Sequence, residues 1–243
     1  MAVMVVTGAS SGIGRAVAEM ALADGWQVAC IARREDRLRE VALLGDGIAL
    51  PCDVRSEAAV EAAFTAVMER FGRIDVLFNN AGIFPRGALI DDVSLAEWQE
   101  VVDINLTGMF LCARAAFARM RAQTPQGGRI INNGSIAGQV PRPMSLAYSV
   151  TKHAINGMTK QMALDGRGLN IATGQVDIGN ARTDLAAQME KGVPQADGSI
   201  RPEPMMDVRE AARAVMHMAS LPPGANVLQM TVMATEMPFV GRG

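Results

Sequence analysis

The sequence predicts an α/β protein with a doubly wound, seven-stranded parallel sheet of the Rossmann type. Short apolar runs alternate with segments of helical period along almost the whole chain. This alternation is typical of a parallel sheet that is covered by helices on both faces. The 243 residues, 49% of them hydrophobic, are enough to build one large core. We therefore expect a single domain over residues 1–243.

Seven apolar runs are predicted to be the strands of this sheet. They are Val3–Thr7, Gln27–Ala32, Ile48–Cys52, Ile74–Asn79, Arg129–Asn133, Ile171–Val176 and Val227–Thr231. After the first strand, apolar residues recur at helical spacing from Ile13 to Ala21, so a glycine turn is predicted to open a helix.

Two later helical segments, about Asp103–Met120 and Ala147–Leu164, are apolar on more than one face. One sheet surface cannot cover all of that area, which predicts a homodimer or homotetramer. The irregular region Leu185–Met206, with its glycines and prolines, is either an inserted loop or a lid over a site.

Charge and cysteine content narrow the classes of function. The net charge of -2 gives little support for binding nucleic acid or an anionic membrane surface. Cys30, Cys52 and Cys112 have neither disulfide nor zinc-site spacing, so no metal is expected. Met1–Thr7 lacks a basic leader, and no run approaches about 20 apolar residues. We expect a cytoplasmic protein that acts on a small molecule.

The turn between the first strand and the first helix has the composition of a phosphate-binding loop. Glycines let the backbone approach a pyrophosphate, and N–H groups at the helix start face its charge. A glycine-rich turn without a ligand is the alternative interpretation. The predicted cofactor contacts here are Gly8, Ser10, Ser11, Gly12, Ile13 and Gly14.

The end of the second strand carries Arg33 and Arg34 where NAD-binding proteins have an acidic residue. Guanidinium groups pair well with phosphate, which favours NADP(H) over NAD(H). The alternative is a solvated basic start to a helix at Arg34–Val41.

Tyr148 is the only tyrosine, and Lys152 is one of only three lysines. Four residues apart on a helix, the two side chains project from one face. An ammonium beside a phenol is expected to lower the phenol pKa from about 10 toward the working range of an acid/base catalyst. Ser135, at the end of the fifth strand, is expected to hold a carbonyl oxygen, although alone it would suggest only a turn.

With these residues in place, the chain resembles the short-chain dehydrogenase/reductase family in its compact form. The resemblance covers nearly the whole length, and its motifs occur in order. They are Thr7-Gly8-xxx-Gly12-x-Gly14, Asp53-Val54, Asn79-Asn80-Ala81-Gly82, Asn105, Ser135 and Tyr148-xxx-Lys152.

The resemblance implies roles for further residues. Asp53 would hold the adenine amino group with help from the Val54 backbone, and Asn79, Asn80, Ala81 and Gly82 would line the ribose side of the cofactor. Lys152 would bind the nicotinamide ribose, and Asn105 would position a water in a proton relay. Ser135 would orient the substrate oxygen, and Tyr148 would exchange its proton.

The chain departs from the family pattern after the sixth strand. Ile178 stands where the family usually has proline, although Gly179 and Thr183, an expected contact of the nicotinamide carboxamide, are kept. The end of the chain, from Met230 to Val240, is apolar where many relatives are glycine-rich.

The main functional prediction is an NADP(H)-dependent carbonyl reductase or alcohol dehydrogenase. A dinucleotide-sensing regulator or scaffold without turnover is the alternative from another class. A sugar-nucleotide epimerase would need a larger C-terminal substrate domain than the residues after Val227 allow. Oxoacyl thioesters, cyclic or steroid-like ketones, and sugars or polyols all remain candidate substrates.

Overall fold

The computed structural model describes residues 1–183 and 192–240. Within them, seven strands form one parallel sheet, and a short antiparallel hairpin, β7 with β8, stands apart from it. The sheet order is β3-β2-β1-β4-β5-β6-β9, so the strand order reverses between β1 and β4. The strands are β1 Val3–Thr7, β2 Gln27–Ala32, β3 Gly47–Pro51, β4 Val76–Asn79, β5 Gly128–Asn133, β6 Ile171–Gly179, β7 Val193–Pro194, β8 Ile200–Arg201 and β9 Gln229–Met233.

Helices cover both faces of the sheet. One face packs against α1, α2 and α7 through residues such as Val17, Leu38 and Val215. The other packs against α3 and α5 through residues such as Phe64 and Cys112. This arrangement confirms the predicted doubly wound, single-domain fold. The helices are α1 Gly12–Ala23, α2 Glu35–Ala42, α3 Glu57–Phe71, α4 Leu95–Val102, α5 Met109–Ala122, α6 Leu146–Asp165 and α7 Val208–Ala219.

Several predicted boundaries shift by one or two residues: β3 is Gly47–Pro51 rather than Ile48–Cys52, β4 starts at Val76 rather than Ile74, and β9 is Gln229–Met233 rather than Val227–Thr231. Two other differences have tertiary causes. The strand expected to end at Val176 continues to Gly179, because β9 pairs with it as far as Met233. The helix expected to start at Asp103 instead begins with a π-helical segment, Asp103–Gly108, and becomes α-helical at Met109. Gly108 lies so close to Val54 that a Cβ there would approach Val54 Cγ2 to 2.7 Å.

The combined helical stretch Leu95–Ala122 corrects one expectation, that no segment approaches membrane-spanning length. It is long and apolar enough to cross a membrane by composition, but 56% of its apolar window is buried inside the protein. Asp103 and Arg114 interrupt the apolar run, which is why the sequence alone did not suggest it. The burial is what a core helix shows.

Of the predicted lid, Leu185–Met206, residues 185–191 lie outside the described residues. The remainder, 192–206, contains the β7–β8 hairpin and returns to the body through Met206, whose N–H donates to the carbonyl of Asn180. Met206 packs on the core. Across the described ranges, no group of three or more His, Cys, Asp or Glu side chains could hold a metal ion, and the three cysteines are free and buried.

Candidate active site

A cleft of about 350 Å³ opens at the carboxyl ends of the parallel strands. It lies where the strand order reverses, the place where open α/β sheets bind ligands. Most of the predicted site residues line it. They are Gly8, Ser10, Ser11, Gly12, Ile13, Arg33, Arg34, Asp53, Val54, Asn80, Ala81, Gly82, Ser135, Tyr148, Lys152 and Thr183.

The glycine turn leaves room that a side chain would fill. Gly8 has a φ of +70°, and a Cβ there would come within 2.8 Å of Asn80 Nδ2. Gly12 has a φ of +55°, and a Cβ there would lie 3.3 Å from Thr183 Cγ2. Gly14 has a different function, because it does not line the cleft and a Cβ there would lie 2.4 Å from the Gly8 carbonyl oxygen. Gly14 thus lets α1 pack closely on the turn.

At one end of the cleft, Arg34 is tied to the glycine turn. Its Nη2 donates to Ser10 Oγ at 3.0 Å and to Ser11 Oγ at 2.9 Å, which fixes one edge of the guanidinium beside the turn. Arg33 is exposed and lines the same end.

Asp53, expected to bind adenine, is already engaged by Arg55. Its Oδ2 accepts from Arg55 Nη2 at 2.6 Å, and its Oδ1 accepts from the Arg55 backbone N–H at 3.0 Å. These bonds hold the pKa of the Asp53 carboxyl below its usual value. Asp53 still lines the cleft, so an adenine amino group would have to share this carboxylate with Arg55.

Tyr148 and Lys152 lie one turn apart on α6, with Lys152 Nζ 5.5 Å from the centre of the Tyr148 ring. Lys152 is buried and donates to the carbonyl oxygen of Asn133 at 2.7 Å. Phe84 meets the Tyr148 ring edge to face, with ring centroids 4.8 Å apart. The predicted pair is therefore present, and the Phe84 ring packs beside it.

The ionisation of this pair differs from the expectation in one respect. Burial raises the pKa of the Tyr148 phenol, although the nearby Ser135 hydroxyl and the charge of Arg142 act in the opposite direction. Burial also lowers the pKa of Lys152 to about 8. The expected lowering of the phenol pKa was wrong for this state of the protein, because the cost of desolvating the phenolate dominates and the ammonium donates to Asn133 instead.

Ser135 is held by a buried carboxylate on β6. Its backbone N–H donates to Asp177 Oδ1 at 3.0 Å, while its hydroxyl oxygen accepts from the Ala137 N–H at 3.1 Å. Asp177 is fully buried and also accepts from the side-chain amides of Gln139, Gln175 and Gln229. This residue was missed from the sequence, where nothing distinguishes it from an ordinary strand-end acid.

Asn105 lies in the π-helical segment and does not line the cleft. Its Oδ1 accepts from the Ile83 N–H at 2.8 Å, and its Nδ2 donates to the Ile83 carbonyl at 2.9 Å. Both polar ends of the side chain are used to hold the segment after β4, and the expected role of Asn105 in positioning a water stays a prediction.

Two further predicted residues also lie off the cleft. Asn79 is buried, and its Nδ2 donates to the Met109 carbonyl at 2.8 Å, which secures the start of α5. Gly179 packs under the C-terminal segment, where a Cβ would approach Met237 Sδ to 3.0 Å.

Asn133 provides a test of whether this cleft fits a nicotinamide dinucleotide. Its Nδ2 donates to Asn80 Oδ1 at 2.8 Å, but its buried Oδ1 has no hydrogen-bond partner among the described residues. Asn133 lines the cleft next to Lys152, so this acceptor fits a ligand hydroxyl or amide. Together with the glycine turn, the residues present fit a dinucleotide. The sequence signal for Asn133 was weak, since Asn-Gly-Ser suggests only a turn.

Comparison with known proteins identifies the family. The model of the short chain dehydrogenase family matches residues 2–194. The chain belongs to the short-chain dehydrogenase/reductase family. Most residues of the motifs that suggested this membership from the sequence alone also line the observed cleft.

Individual relatives and solved structures of this family differ in their substrates. The chain is 39% identical over 168 residues to a 3beta-hydroxysteroid dehydrogenase of Mediterraneibacter gnavus, covering 67% of this chain and 60% of that protein. It is 32% identical to sulfoacetaldehyde reductase 2 of Chromohalobacter salexigens, covering 98% and 96%.

Two solved structures match nearly the whole fold. The 3-ketoacyl-(acyl-carrier-protein) reductase of Brucella melitensis, complexed with NADH, has a TM-score of 0.86 at 25% identity, covering 97% of this chain and 98% of that one. An actinorhodin polyketide ketoreductase variant with NADPH has a TM-score of 0.86 at 29% identity, covering 96% of each chain.

Proposed function

We propose that this protein is an NADP(H)-dependent oxidoreductase that transfers hydride between nicotinamide and a ketone or secondary alcohol. The observation that carries the proposal is the arrangement of the cleft. Tyr148, Lys152 and Ser135 meet at one end of it, and Arg33 and Arg34 lie at the other. The dehydrogenases and reductases among the relatives support the same reaction class.

In this proposal the glycine turn holds the pyrophosphate. Lys152 and the free Oδ1 of Asn133 bind hydroxyl groups of the nicotinamide ribose, while Thr183 lies close enough to Gly12 to contact the carboxamide side. A bound nicotinamide supplies the hydride donor or acceptor. Asp53, Val54, Asn80, Ala81 and Gly82 line the remainder of the dinucleotide path.

For carbonyl reduction, the Ser135 hydroxyl donates a hydrogen bond to the substrate oxygen, and Tyr148 Oη delivers a proton to that oxygen. The raised pKa of Tyr148 keeps the phenol protonated at neutral pH, which suits a proton donor. Lys152 stabilises the phenolate that remains after the transfer. Oxidation of an alcohol uses the same groups in reverse.

The preference for NADP(H) rests on Arg33 and Arg34. Because Ser10 and Ser11 hold Arg34 against the turn, its guanidinium is preorganised for a 2′-phosphate. The related structures contain NADH in one case and NADPH in the other, so the family alone does not set the preference.

We also propose a homodimer or homotetramer that works in the cytoplasm, with residues 185–206 as a lid. Large apolar side chains are exposed on α5 and α6, namely Phe110, Val150 and Leu164 at 48%, 42% and 54% of their surface. A second copy of the chain would cover them. Light scattering at micromolar concentration tests the assembly, and a monomer would contradict it.

The reaction is tested with a screen of ketones for NADPH oxidation and with Tyr148→Phe. This variant lacks only the hydroxyl, so turnover is expected to be lost while NADPH affinity stays within about twofold. Retained turnover would overturn the assignment of Tyr148. A protein that binds NADPH but turns over no ketone or alcohol would instead support a dinucleotide-sensing regulator.

The cofactor preference is tested by titrating NADPH and NADH against the wild type and Arg34→Gln. Loss of a charged phosphate contact of about 1.5–3 kcal/mol is expected to weaken NADPH binding about 10- to 100-fold, with NADH affinity little changed. Arg37→Gln, which removes an exposed charge from the next turn of α2 without touching the cleft, is the matched control. Equal affinity of the wild type for both nucleotides would refute the preference.

A further inference from the structure

Arg142 is a buried guanidinium on the wall of the active-site cleft, in the segment between Ser135 and Tyr148. Only 10% of its side chain is exposed. Its Nη2 donates to Glu203 Oε2 at 2.7 Å and to Asn180 Oδ1 at 3.1 Å. Three segments distant in sequence therefore combine to fix this one side chain.

Glu203 holds Arg142 from behind the cleft wall. Its side chain is 1% exposed and does not line the cleft. It also accepts from Asn180 Nδ2 at 2.7 Å and from Gln195 Nε2 at 3.1 Å. Although burial acts to raise it, these donors and Arg142 hold the pKa of the Glu203 carboxyl below its usual value. The pair is therefore ionised, and the guanidinium is locked in place rather than mobile.

The anchoring uses only one of the three nitrogens of the guanidinium. In the described ranges 1–183 and 192–240, no acceptor bonds its Nε or Nη1. A guanidinium presents five N–H donors in a planar fork that matches the two oxygens of an oxyanion. A ligand in the cleft can therefore still be bound by this group.

The charged side chains that face the substrate end of the cleft are basic, whereas the acids Glu203 and Asp177 are buried and do not line it. Among the described side chains that line the cleft, the charged ones near Tyr148 are Arg142 and Lys152, and both are basic. Asp53 lies at the opposite end and is paired with Arg55. Phe84, against the Tyr148 ring, adds an apolar surface to this end of the cleft.

We propose that Arg142 binds an oxyanion of the substrate, and that the preferred substrates are carbonyl compounds bearing a carboxylate or sulfonate, or the corresponding hydroxy acids. This inference rests on the proposed function and narrows its substrate class. Tyr148 and Ser135 bind the carbonyl oxygen, and Arg142 binds the anion and so sets the orientation of the molecule. Glu203 acts as a positioning residue for Arg142.

The test compares acids with neutral molecules of the same shape. NADPH oxidation is measured with a panel of aliphatic and cyclic oxo acids, each paired with its methyl ester, together with sulfoacetaldehyde and simple neutral ketones. The wild type is expected to prefer at least one acid over its ester at least tenfold in kcat/KM. Arg142→Met is expected to reduce that ratio to within about twofold of one, mainly through KM for the acid.

Controls separate charge recognition from general damage. Arg86→Met removes an exposed positive charge outside the cleft and is expected to keep the wild-type ratio. NADPH titration reports whether each variant is folded. If Arg142→Met does not fold, Glu203→Gln provides the test, because it removes the charge that holds the guanidinium in place. The acid-to-ester ratio is then expected to fall severalfold while neutral ketones are still turned over, and an unchanged ratio overturns the proposal.

The outcomes distinguish this inference from the proposed function. The role of Arg142 is overturned if neutral ketones are turned over in a Tyr148-dependent way but every ester reacts as efficiently as its acid, or no acid reacts at all. The proposed oxidoreductase function would stand in that case. An Arg142→Met ratio equal to that of the wild type leads to the same conclusion. If no compound in the panel, charged or neutral, is turned over, the proposed function itself fails.

Discussion

Lys152 is expected to destabilise the folded protein at neutral pH, and its replacement is expected to reveal by how much. Burial lowers the pKa of its ammonium from 10.5 to about 8. Between these values the unfolded chain binds a proton that the folded protein does not, so the contribution of Lys152 to stability rises with pH across this window. The size of this change is about 3 kcal/mol.

Lys152→Met removes the charge and keeps most of the side-chain volume. At pH 7 the variant lacks the cost of burying a charged ammonium, about 3 kcal/mol. It also loses the hydrogen bond to the Asn133 carbonyl, which contributes about 1 kcal/mol. It should therefore be more stable than the wild type by about 2 kcal/mol. Near pH 10.5 the penalty is gone, and the variant should be less stable by about 1 kcal/mol.

Urea unfolding followed by tryptophan fluorescence, from pH 7 to 10.5, measures this difference. Lys160→Met is the matched control, because Lys160 is exposed on the same helix. Its stability difference from the wild type is expected to stay constant with pH. A Lys152→Met variant that is less stable than the wild type at pH 7, by an amount that does not change with pH, would refute the assigned burial penalty.

Two further predictions concern the interior. In Gly134→Ala the new Cβ would lie 2.0 Å from Asp177 Oδ1, so the backbone of Ser135, which donates to that oxygen, should be displaced. Overpacking of about 1–3 kcal/mol should lower the melting temperature, and kcat should fall more than NADPH affinity. An unchanged kcat would argue against the positioning of Ser135 by Asp177. The thiols of Cys30, Cys52 and Cys112 are buried, and burial raises the pKa of Cys30 to about 12 and of Cys52 to about 11. An aromatic disulfide reagent at pH 8 should therefore label none quickly in the native protein and all three in urea, and rapid native labelling would contradict this burial.

Features encoded by local pattern were predictable from the sequence. The strands of the sheet follow from apolar runs, the turn around Gly8 and Gly12 from glycine spacing, and the Tyr148 and Lys152 pair from the geometry of one helical turn. These signals act over a few residues, so no tertiary information was needed to see them.

Features that depend on distant contacts were not predictable. Arg142 and Glu203 are 61 residues apart, and nothing near either one marks them as partners. The π-helical segment at Asp103–Gly108 forms where Asn105 binds the Ile83 backbone, a contact between separate elements. The direction of the Tyr148 pKa depended on how deeply the helix is buried, which spacing does not report.

The side chains proposed to be catalytic are held in place mainly by polar groups at the strand ends. Lys152 donates to the Asn133 carbonyl, Asn133 Nδ2 donates to Asn80 Oδ1, and Asn80 Nδ2 donates to the Thr7 carbonyl. Three hydrogen bonds therefore connect Lys152 with the strand that carries the glycine turn.

A second network, centred on Asp177, holds the backbone of Ser135 from the next strand. The two networks meet at the end of β5, where Asn133 belongs to one and Ser135 to the other. Buried hydrogen bonds have low tolerance for displacement, because each lost partner leaves a desolvated group. The edge of the sheet thus fixes the distance between Ser135, which we propose binds the substrate oxygen, and Lys152, which we propose stabilises the phenolate. The helix α6 adds Tyr148, the proposed proton donor, to a geometry that the strands have already set.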